Sequence, residues 1–454
     1  MMSDPRAFRP DYDALVVGGG PAGAAAGALL ARRGRRVLIV ERQRFPRFHI
    51  GESLIPETNR WLEAIGAYEK VAAAGFPVKR GAIIMAPDGE HQRYAFFGDS
   101  RGVARRETFE VPRDRFDQIL LDHAEGCGAE VLQEHRAKAV KLRGAGAEVR
   151  IEDPAGGERS VAARFLIDAS GRDGFLAKRL QLRVIDPELR MVGLHAWYEG
   201  VEPLPPERAG DIRLVAIEGE GWAWLIPLGD GVTSVGVVVS KERHSALPTG
   251  DPERCLDLLL RSAPALPPLL AGARRASPVR VEGDYSYATR AYHGERWLLA
   301  GDAGSFLDPI FSTGVLLALE SGVQAAEAVD GALAAGEAPA ATRRLFAAYD
   351  REQGRKYRFF RRFVVGYYRP EFRDLLVNPD APFGIAEALI TAFAGNTRPP
   401  LLSRLLTAAF FAFVRLQRHL AISPRLHGPA AERLRASAGA GAEEAAGAGT
   451  APAS

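Results

Sequence analysis

Cysteine is nearly absent from this chain of 454 residues: there are two, Cys127 and Cys255. At this length, two cysteines supply neither a disulfide framework nor a cysteine zinc site, and they suit a reducing compartment. No run reaches the roughly 20 apolar residues that a membrane span requires. The opening MMSDPRAFRP lacks an apolar core and leads straight into a strand, so no signal peptide is expected and the cytoplasm is the expected location. The nine histidines fall at no metal-ligand spacing, and no metal is expected. Ser53 in Gly-Glu-Ser and Ser170 in Ala-Ser-Gly form no nucleophile elbow, which leaves hydrolysis without support. Lysine occurs only seven times, at 70, 79, 138, 141, 178, 241 and 356. Arginine therefore does nearly all the cationic work, and a lysine inside a motif is a candidate for amine chemistry.

What is present is balanced in total and uneven in place. Lys plus Arg number 59 against 56 Asp plus Glu, a net +3, with 47% apolar and 25% charged residues. These are globular proportions; they exclude a disordered chain, a collagen-like chain and a whole-chain nucleic-acid binder. Residues 341–435 carry 17 Arg and Lys against 7 Asp and Glu, or +10; residues 436–454 carry −2, leaving −5 for residues 1–340. The last stretch, low in complexity, is expected to be a disordered tail over 433–454.

The start is sharply patterned. Asp13-Ala-Leu-Val-Val17 runs into Gly18-Gly-Gly-Pro-Ala-Gly23, a small-residue helix follows over 24–33, and Val37-Leu-Ile-Val40 ends in Glu41. This is strand, glycine turn, helix, strand, with the G-x-G-x-x-G spacing of a dinucleotide fingerprint. Gly18 permits the tight turn, Gly20 lets the backbone approach a pyrophosphate, and Gly23 lets the helix pack close to the sheet. The pyrophosphate would sit on the helix N-terminus, and Glu41 would accept from a ribose hydroxyl. A helix is expected over 113–124 and a strand over 129–132. Further alternating segments run over 135–168, the stretch 190–240 is β-rich, and another helix is expected after Thr313.

Three later passages resemble the FAD-dependent monooxygenase superfamily. They are Arg113-Asp-Arg-Phe-Asp117, the strand end Phe165-Leu-Ile-Asp168-Ala-Ser-Gly171, and Leu298-Leu-Ala-Gly301-Asp302. The resemblance implies FAD as cofactor, with Arg113 near the nucleotide, Asp302 on the ribityl chain and the helix N-terminus at Gly314 facing the flavin ring. It adds Arg42, Glu52, Ser53, Asp168, Gly171 and Gly301 to the cofactor set. The implied fold is α/β: a Rossmann-like FAD-binding domain of the para-hydroxybenzoate-hydroxylase type, with an inserted β-rich substrate domain and a helical C-terminal region. The expected limits are a tail over 1–10, the FAD domain over 11–335 with insertions near 76–112 and 181–290, and helices over 336–432.

Within that superfamily, four passages resemble the flavin-dependent halogenases, in their phenol and pyrrole branch. Phe45-Pro-Arg-Phe-His-Ile-Gly-Glu-Ser53-Leu-Ile-Pro56 is close to the family's flavin-proximal motif, and Gly75-Phe-Pro-Val-Lys79 to the segment that holds its lysine. Trp222-Ala-Trp224-Leu-Ile226-Pro227 is a complete W-x-W-x-I-P, and Asp308-Pro-Ile-Phe-Ser312-Thr-Gly-Val315 resembles the branch's D-P-x-F-S-S-G-V. The implied route is reduced FAD and oxygen giving a flavin hydroperoxide. Chloride or bromide held at Thr313 and Gly314 attacks it, and the hypohalous acid travels to Lys79, which halogenates an electron-rich ring. Lys79, Trp222, Trp224 and Ser312 form the implied catalytic set, the tryptophans as a wall between flavin and substrate. Tryptophan halogenases carry a glutamate where this chain has Phe311, so free tryptophan is not the expected substrate. The halogenase resemblance implies a separate NAD(P)H-dependent flavin reductase; no second dinucleotide fingerprint is present, and single-component hydroxylases lack one as well. A hydroxylase without halide chemistry stays open, as does an isoprenoid reductase, because geranylgeranyl reductases carry a related G-Y-x-W-x-F-P strand.

Near the C-terminus, Phe359 and Phe363 share one helical face, with Arg358, Arg361 and Arg362 roughly opposite. Either the aromatic side is core and the arginines face water, or the basic side docks an acidic carrier protein or an anionic membrane surface. Phe410-Phe-Ala-Phe413 is a lid or plain core.

Overall fold

The computed structural model describes residues 9–217, 219, 221–283, 286–378 and 384–426. The expected C-terminal tail and residues 1–8 of the N-terminal one lie outside them. Two sheets carry the structure. In the first, Glu130–Leu132, Val37–Val40, Tyr12–Val17, Glu158–Asp168 and Trp297–Leu299 lie side by side and parallel. The central strands are continuous apolar runs, as parallel strands covered on both faces require. Glu158–Asp168 has two jobs: its first half pairs antiparallel with Gly146–Glu152, and its last residues pair with Trp297–Leu299. The chain between 168 and 297 thus leaves this sheet and returns to it.

The helix Pro21–Arg32 is held against the sheet by glycines, and Gly23 also faces Val16 of the first strand, whose Cγ1 would lie 3.2 Å from an added Cβ. A Cβ on Gly23 would lie 1.9 Å from the Gly18 carbonyl oxygen, so this glycine closes the fingerprint turn. A further helix-to-sheet contact is at Gly27, whose Cβ would lie 2.5 Å from Ile39 Cδ1.

The second sheet has eight strands. Arg274–Arg275 and Arg280–Gly283 pair with Met191–Glu199; then follow Val232–Ser240, Gly221–Gly229, Ile212–Ile217, Gly81–Met85 and Gln92–Phe96. Gly81–Met85 runs parallel to Ile212–Ile217, so a segment near residue 80 completes a sheet built mainly after residue 190. Alternation along Gly221–Gly229 sorts its side chains. Trp222, Trp224 and Ile226 pack with Phe311, Phe363 and Tyr367 on one face. Ala223 and Leu225 pack on the other, against Leu256 and Leu259 of the helix Pro252–Arg261.

Four helices, Pro339–Tyr367, Pro370–Val377, Ile385–Phe393 and Leu401–Gln417, cover the tryptophan face. Their aromatic residues interlock: Phe311 stacks on Phe393 at 4.5 Å, and Phe372 meets Phe410 edge-on at 5.0 Å. Phe410 is therefore core. The expectation that Arg361 faces water is corrected: it forms ion pairs with Asp186 at 2.5 Å and Glu188 at 2.9 Å, tying the long helix to the segment that precedes the second sheet. Arg362 lies over the Phe411 ring, and Arg358 is exposed. Among the described residues, no helix is long and apolar enough to cross a membrane.

Candidate active site

The nucleotide half begins where the first strand ends. Gly18 adopts φ +105°, and Gly20 caps the helix Pro21–Arg32. A Cβ on Gly20 would meet only Arg47 Nη2, at 3.5 Å. The helix N-terminus therefore opens toward a cation, a suitable cradle for a pyrophosphate. Arg47 was not singled out in the sequence, although it stands inside the F-P-R motif. Asp117 holds it at 2.9 Å and binds Arg113 through both oxygens, at 2.8 and 3.0 Å. Burial works to raise the Asp117 carboxyl, but Arg113 and Arg47 prevail and hold it below its ordinary range. Arg113 also donates to the Ile50 and Gly51 carbonyls, fixing the loop that leads to Glu52 and Ser53.

The acids of this half divide into braces and a free group. Glu41 is buried and accepts from the Gly19 and Gln43 backbone N–H groups, at 2.7 and 2.8 Å. Asp168 accepts from Ser170 and Leu176 N–H, bracing the turn that carries Gly171. Asp302 differs, since its carboxylate accepts no hydrogen bond from the described residues. Burial pushes it up to about 6, against the pull of Arg113, Arg172 and Arg183. A carboxylate without a donor, beside a glycine turn and a row of arginines, fits a hydroxylated dinucleotide. Gly301 N–H donates to Ser321 Oγ, which orients that motif. Arg42 is ion-paired with Asp173, in the turn that carries Gly171.

The second half surrounds Lys79, which is 1% exposed. Its Nζ donates to Ser53 Oγ at 2.6 Å and to the Leu54 carbonyl at 2.9 Å, and lies 3.7 Å from Glu110 Oε1. Burial lowers the lysine and raises the glutamate. Beside Ser53, Glu52 accepts from Trp197 Nε1 at 2.8 Å; burial pushes it up to about 7, against Ser234 and Trp197. The sequence reading missed Glu110, whose signal was its place three residues before Arg113.

The tryptophan strand is wired to the segment that begins at Asp308. Trp222 Nε1 donates to Tyr368 Oη at 3.1 Å, and Tyr368 donates to Asp308 Oδ2 at 2.6 Å. Trp224 Nε1 donates to Ser234 Oγ at 3.2 Å. After Asp308 the chain turns through Ser312, at φ +55°, a strained value for a side-chain-bearing residue. Buried Thr313 then caps the helix Gly314–Ala334. The first-turn N–H groups of Gly314, Val315 and Leu316 precede any intrahelical acceptor and, with the helix dipole, favour an anion. The structure thus joins Ser53 to Lys79, and Trp222 to the Asp308–Ser312 turn through Tyr368.

This fold and site define an FAD-dependent oxidoreductase, and the FAD binding domain family matches residues 11–358. The chain is 34% identical over 425 residues to a flavin-dependent halogenase of Armillaria mellea, covering 86% of this chain and 79% of the relative. It is 34% identical over 335 residues to the 1H-pyrrole-2-carbonyl-[peptidyl-carrier protein] chlorinase of Pseudomonas fluorescens, covering 68% and 74%. A tryptophan 2-halogenase of Chondromyces crocatus is 36% identical over 325 residues, 70% of this chain and 61% of that protein. Among solved structures, the myxobacterial chondrochloren halogenase superposes with a TM-score of 0.73 at 31% identity, covering 92% and 93%. A flavoprotein/dehydrogenase from Cytophaga hutchinsonii superposes at 0.80 and 27%, covering 90% and 100%. The chain belongs to the flavin-dependent halogenases, within the FAD-dependent monooxygenase superfamily.

Proposed function

We propose that the protein halogenates an electron-rich phenolic or pyrrolic ring, free or carrier-tethered, with Lys79 as the amine that handles the halogen. The observation that carries this reading is the seating of Lys79: a buried amine, shifted toward its neutral form, within hydrogen-bonding reach of the flavin-proximal Ser53. FAD, reduced by a separate NAD(P)H-dependent reductase and supplied with oxygen and halide, provides the hypohalous acid. Arg47, the Gly18–Gly23 turn and Asp302 hold the dinucleotide, with Glu41, Asp168 and Arg113 fixing the loops around it. Thr313 and Gly314 present backbone donors to chloride or bromide, and the Ser312 turn aims them. Trp222 and Trp224, held by Tyr368 and Ser234, separate flavin from substrate, so oxidant must pass Lys79 before it meets a ring. Phe311, packed among Phe363, Tyr367 and Phe393, offers the substrate side an apolar surface and no charge.

The test supplies reduced FAD, oxygen and bromide, with monochlorodimedone as trap and phenols, pyrroles and tryptophan as substrates. Halogenated phenol or pyrrole is expected, lost in Lys79→Ala while flavin oxidation continues. Hydroxylated product without halide dependence would sink the reading, and preferential halogenation of free tryptophan would overturn the ring assignment.

A further inference from the structure

Lys79 and Glu110 meet because the short strands Val78–Lys79 and Thr108–Phe109 pair antiparallel, with Lys79 opposite Thr108. A bridge between Ser53 and Glu110 brings the third partner in. The two hydrogen bonds from Lys79, to Ser53 and to the Leu54 carbonyl, use both N–H groups of a neutral amine. The third proton of an ammonium faces Glu110 Oε1, 3.7 Å away, and the Ser53 hydroxyl donates to that same oxygen at 3.1 Å. Glu110 Oε2 is buried and has no hydrogen-bond partner among the described residues. Burial disfavours both charges, pushing the lysine down and the glutamate up, so the neutral pair competes with the ion pair.

The geometry points to Glu110 as a positioning residue for Lys79: its carboxylate takes the third proton of the ammonium, directly or through the Ser53 hydroxyl, and frees the nitrogen lone pair. This rests on Lys79 acting as the halogen-handling amine. The other charged groups facing the pair are Asp211 and Glu52, with Arg113 and Arg280 acting on Glu52. Asp211 is occupied by the Arg80 and Gly81 N–H groups and the Tyr94 hydroxyl, and Glu52 by Trp197. Among the described residues, Glu110 is the carboxylate that forms an ion pair with Lys79.

The step balances. A proton moves from Nζ to Glu110, giving amine and carboxylic acid with no change in net charge. The amine lone pair then bonds the halogen of hypohalous acid, and the oxygen–halogen bond breaks with its electron pair leaving on oxygen. That hydroxide takes the proton shed by nitrogen, so amine plus hypohalous acid gives haloamine plus water. While the pair holds one proton between its members, the neutral-amine fraction is set internally and does not follow external pH.

The experiment measures halogenated product per flavin oxidised, from pH 6 to 9, in holoenzyme of the native sequence, Glu110→Gln, Glu110→Asp and Lys79→Ala. The native yield should change less than about twofold. Glu110→Gln accepts no proton, so its yield should fall by at least about tenfold toward pH 6, the slope of a lone titrating amine. Glu110→Asp keeps a proton acceptor farther from Nζ and should give a flat profile at lower yield. A Gln variant as flat as the native protein overturns the proposal, and so does an Asp variant that slopes like it. If the Gln variant fails to bind FAD, the Asp variant decides, and native yield there is the overturning result. Persistent halogenation in Lys79→Ala defeats instead the reading on which the proposal rests.

Discussion

Two of the seven lysines are buried to the same degree, Lys79 and Lys356, each 1% exposed and each paired with a buried glutamate. Their surroundings differ. Lys356, on the helix Pro339–Tyr367, donates to Gln324 at 3.0 Å and lies 3.4 Å from Glu320 Oε1. Gln324 donates in turn to Glu320, and Gln353 donates to Gln324, so the contacts run as one chain between the helices Gly314–Ala334 and Pro339–Tyr367. Around Lys79, Glu110 keeps an oxygen with no partner among the described residues, and Glu52 beside Ser53 keeps another. Among the described residues Glu110 has a buried oxygen without a partner and Glu320 has none, and a pair with such an oxygen still has a proton to place. Burial alone does not make a lysine chemical, and the distinction lies in what its partner lacks.

Exchanging the two lysines' substitutions should break this comparison if it is wrong. Lys79→Ala is expected to lower halogenated product per flavin oxidised by at least about a hundredfold, read in the monochlorodimedone assay. Lys356→Met should leave that ratio unchanged and lower stability by about 3–4 kcal/mol in urea denaturation, because Glu320 is left buried without its cation. Loss of coupling in Lys356→Met at full FAD content would show that the second pair also takes part in halogen transfer.

The two lysines were not equally legible. The fingerprint turn can be read from the chain because its sterics are local: Gly18, Gly20 and Gly23 meet within six residues. Lys79 could be picked out by its motif and by the scarcity of lysine. Glu110 could not, since its approach depends on two strands of two residues each, about thirty positions apart, pairing in one register. Lys356 was obscured by the arginines around it. Helical spacing does place it on the face of Gln353, Phe360 and Phe363, all buried, and that pattern was available. Arg361 was misread because its partners, Asp186 and Glu188, lie some 175 residues away. The long-range architecture was legible only through resemblance, because nothing local requires Gly81–Met85 to join strands from beyond residue 190.

Titration separates the pairs more finely. Burial pushes Lys356 down to about 8, with Glu320 and Glu352 opposing. Its proton is thus held less tightly in the folded chain than in the unfolded one, where the ordinary value is 10.5. Between about pH 8 and 10 the unfolded state binds more protons, so the Lys356 contribution to stability rises with pH over that window. The difference in Tm between the native protein and Lys356→Met should widen from pH 7.5 to 9.5, and a difference that narrows would mean the lysine is not destabilised as an ammonium.

The smallest expected effect is Glu320→Gln. With its counter-ion gone, Lys356 loses a group that holds its proton and can release it near pH 7, at a cost of about 1–2 kcal/mol. The glutamine still accepts from Gln324, so that contact survives. Removing the acid should therefore cost clearly less than removing the base, and combining Lys356→Met with Glu320→Gln should recover part of the loss seen in Lys356→Met alone. Around Lys79 the order of effects on yield is the reverse in kind, since Glu110→Gln acts on the pH profile of the reaction. If Glu320→Gln also made product yield depend on pH, the two buried pairs would be doing the same chemistry, and the orphaned oxygen of Glu110 would not be what distinguishes them.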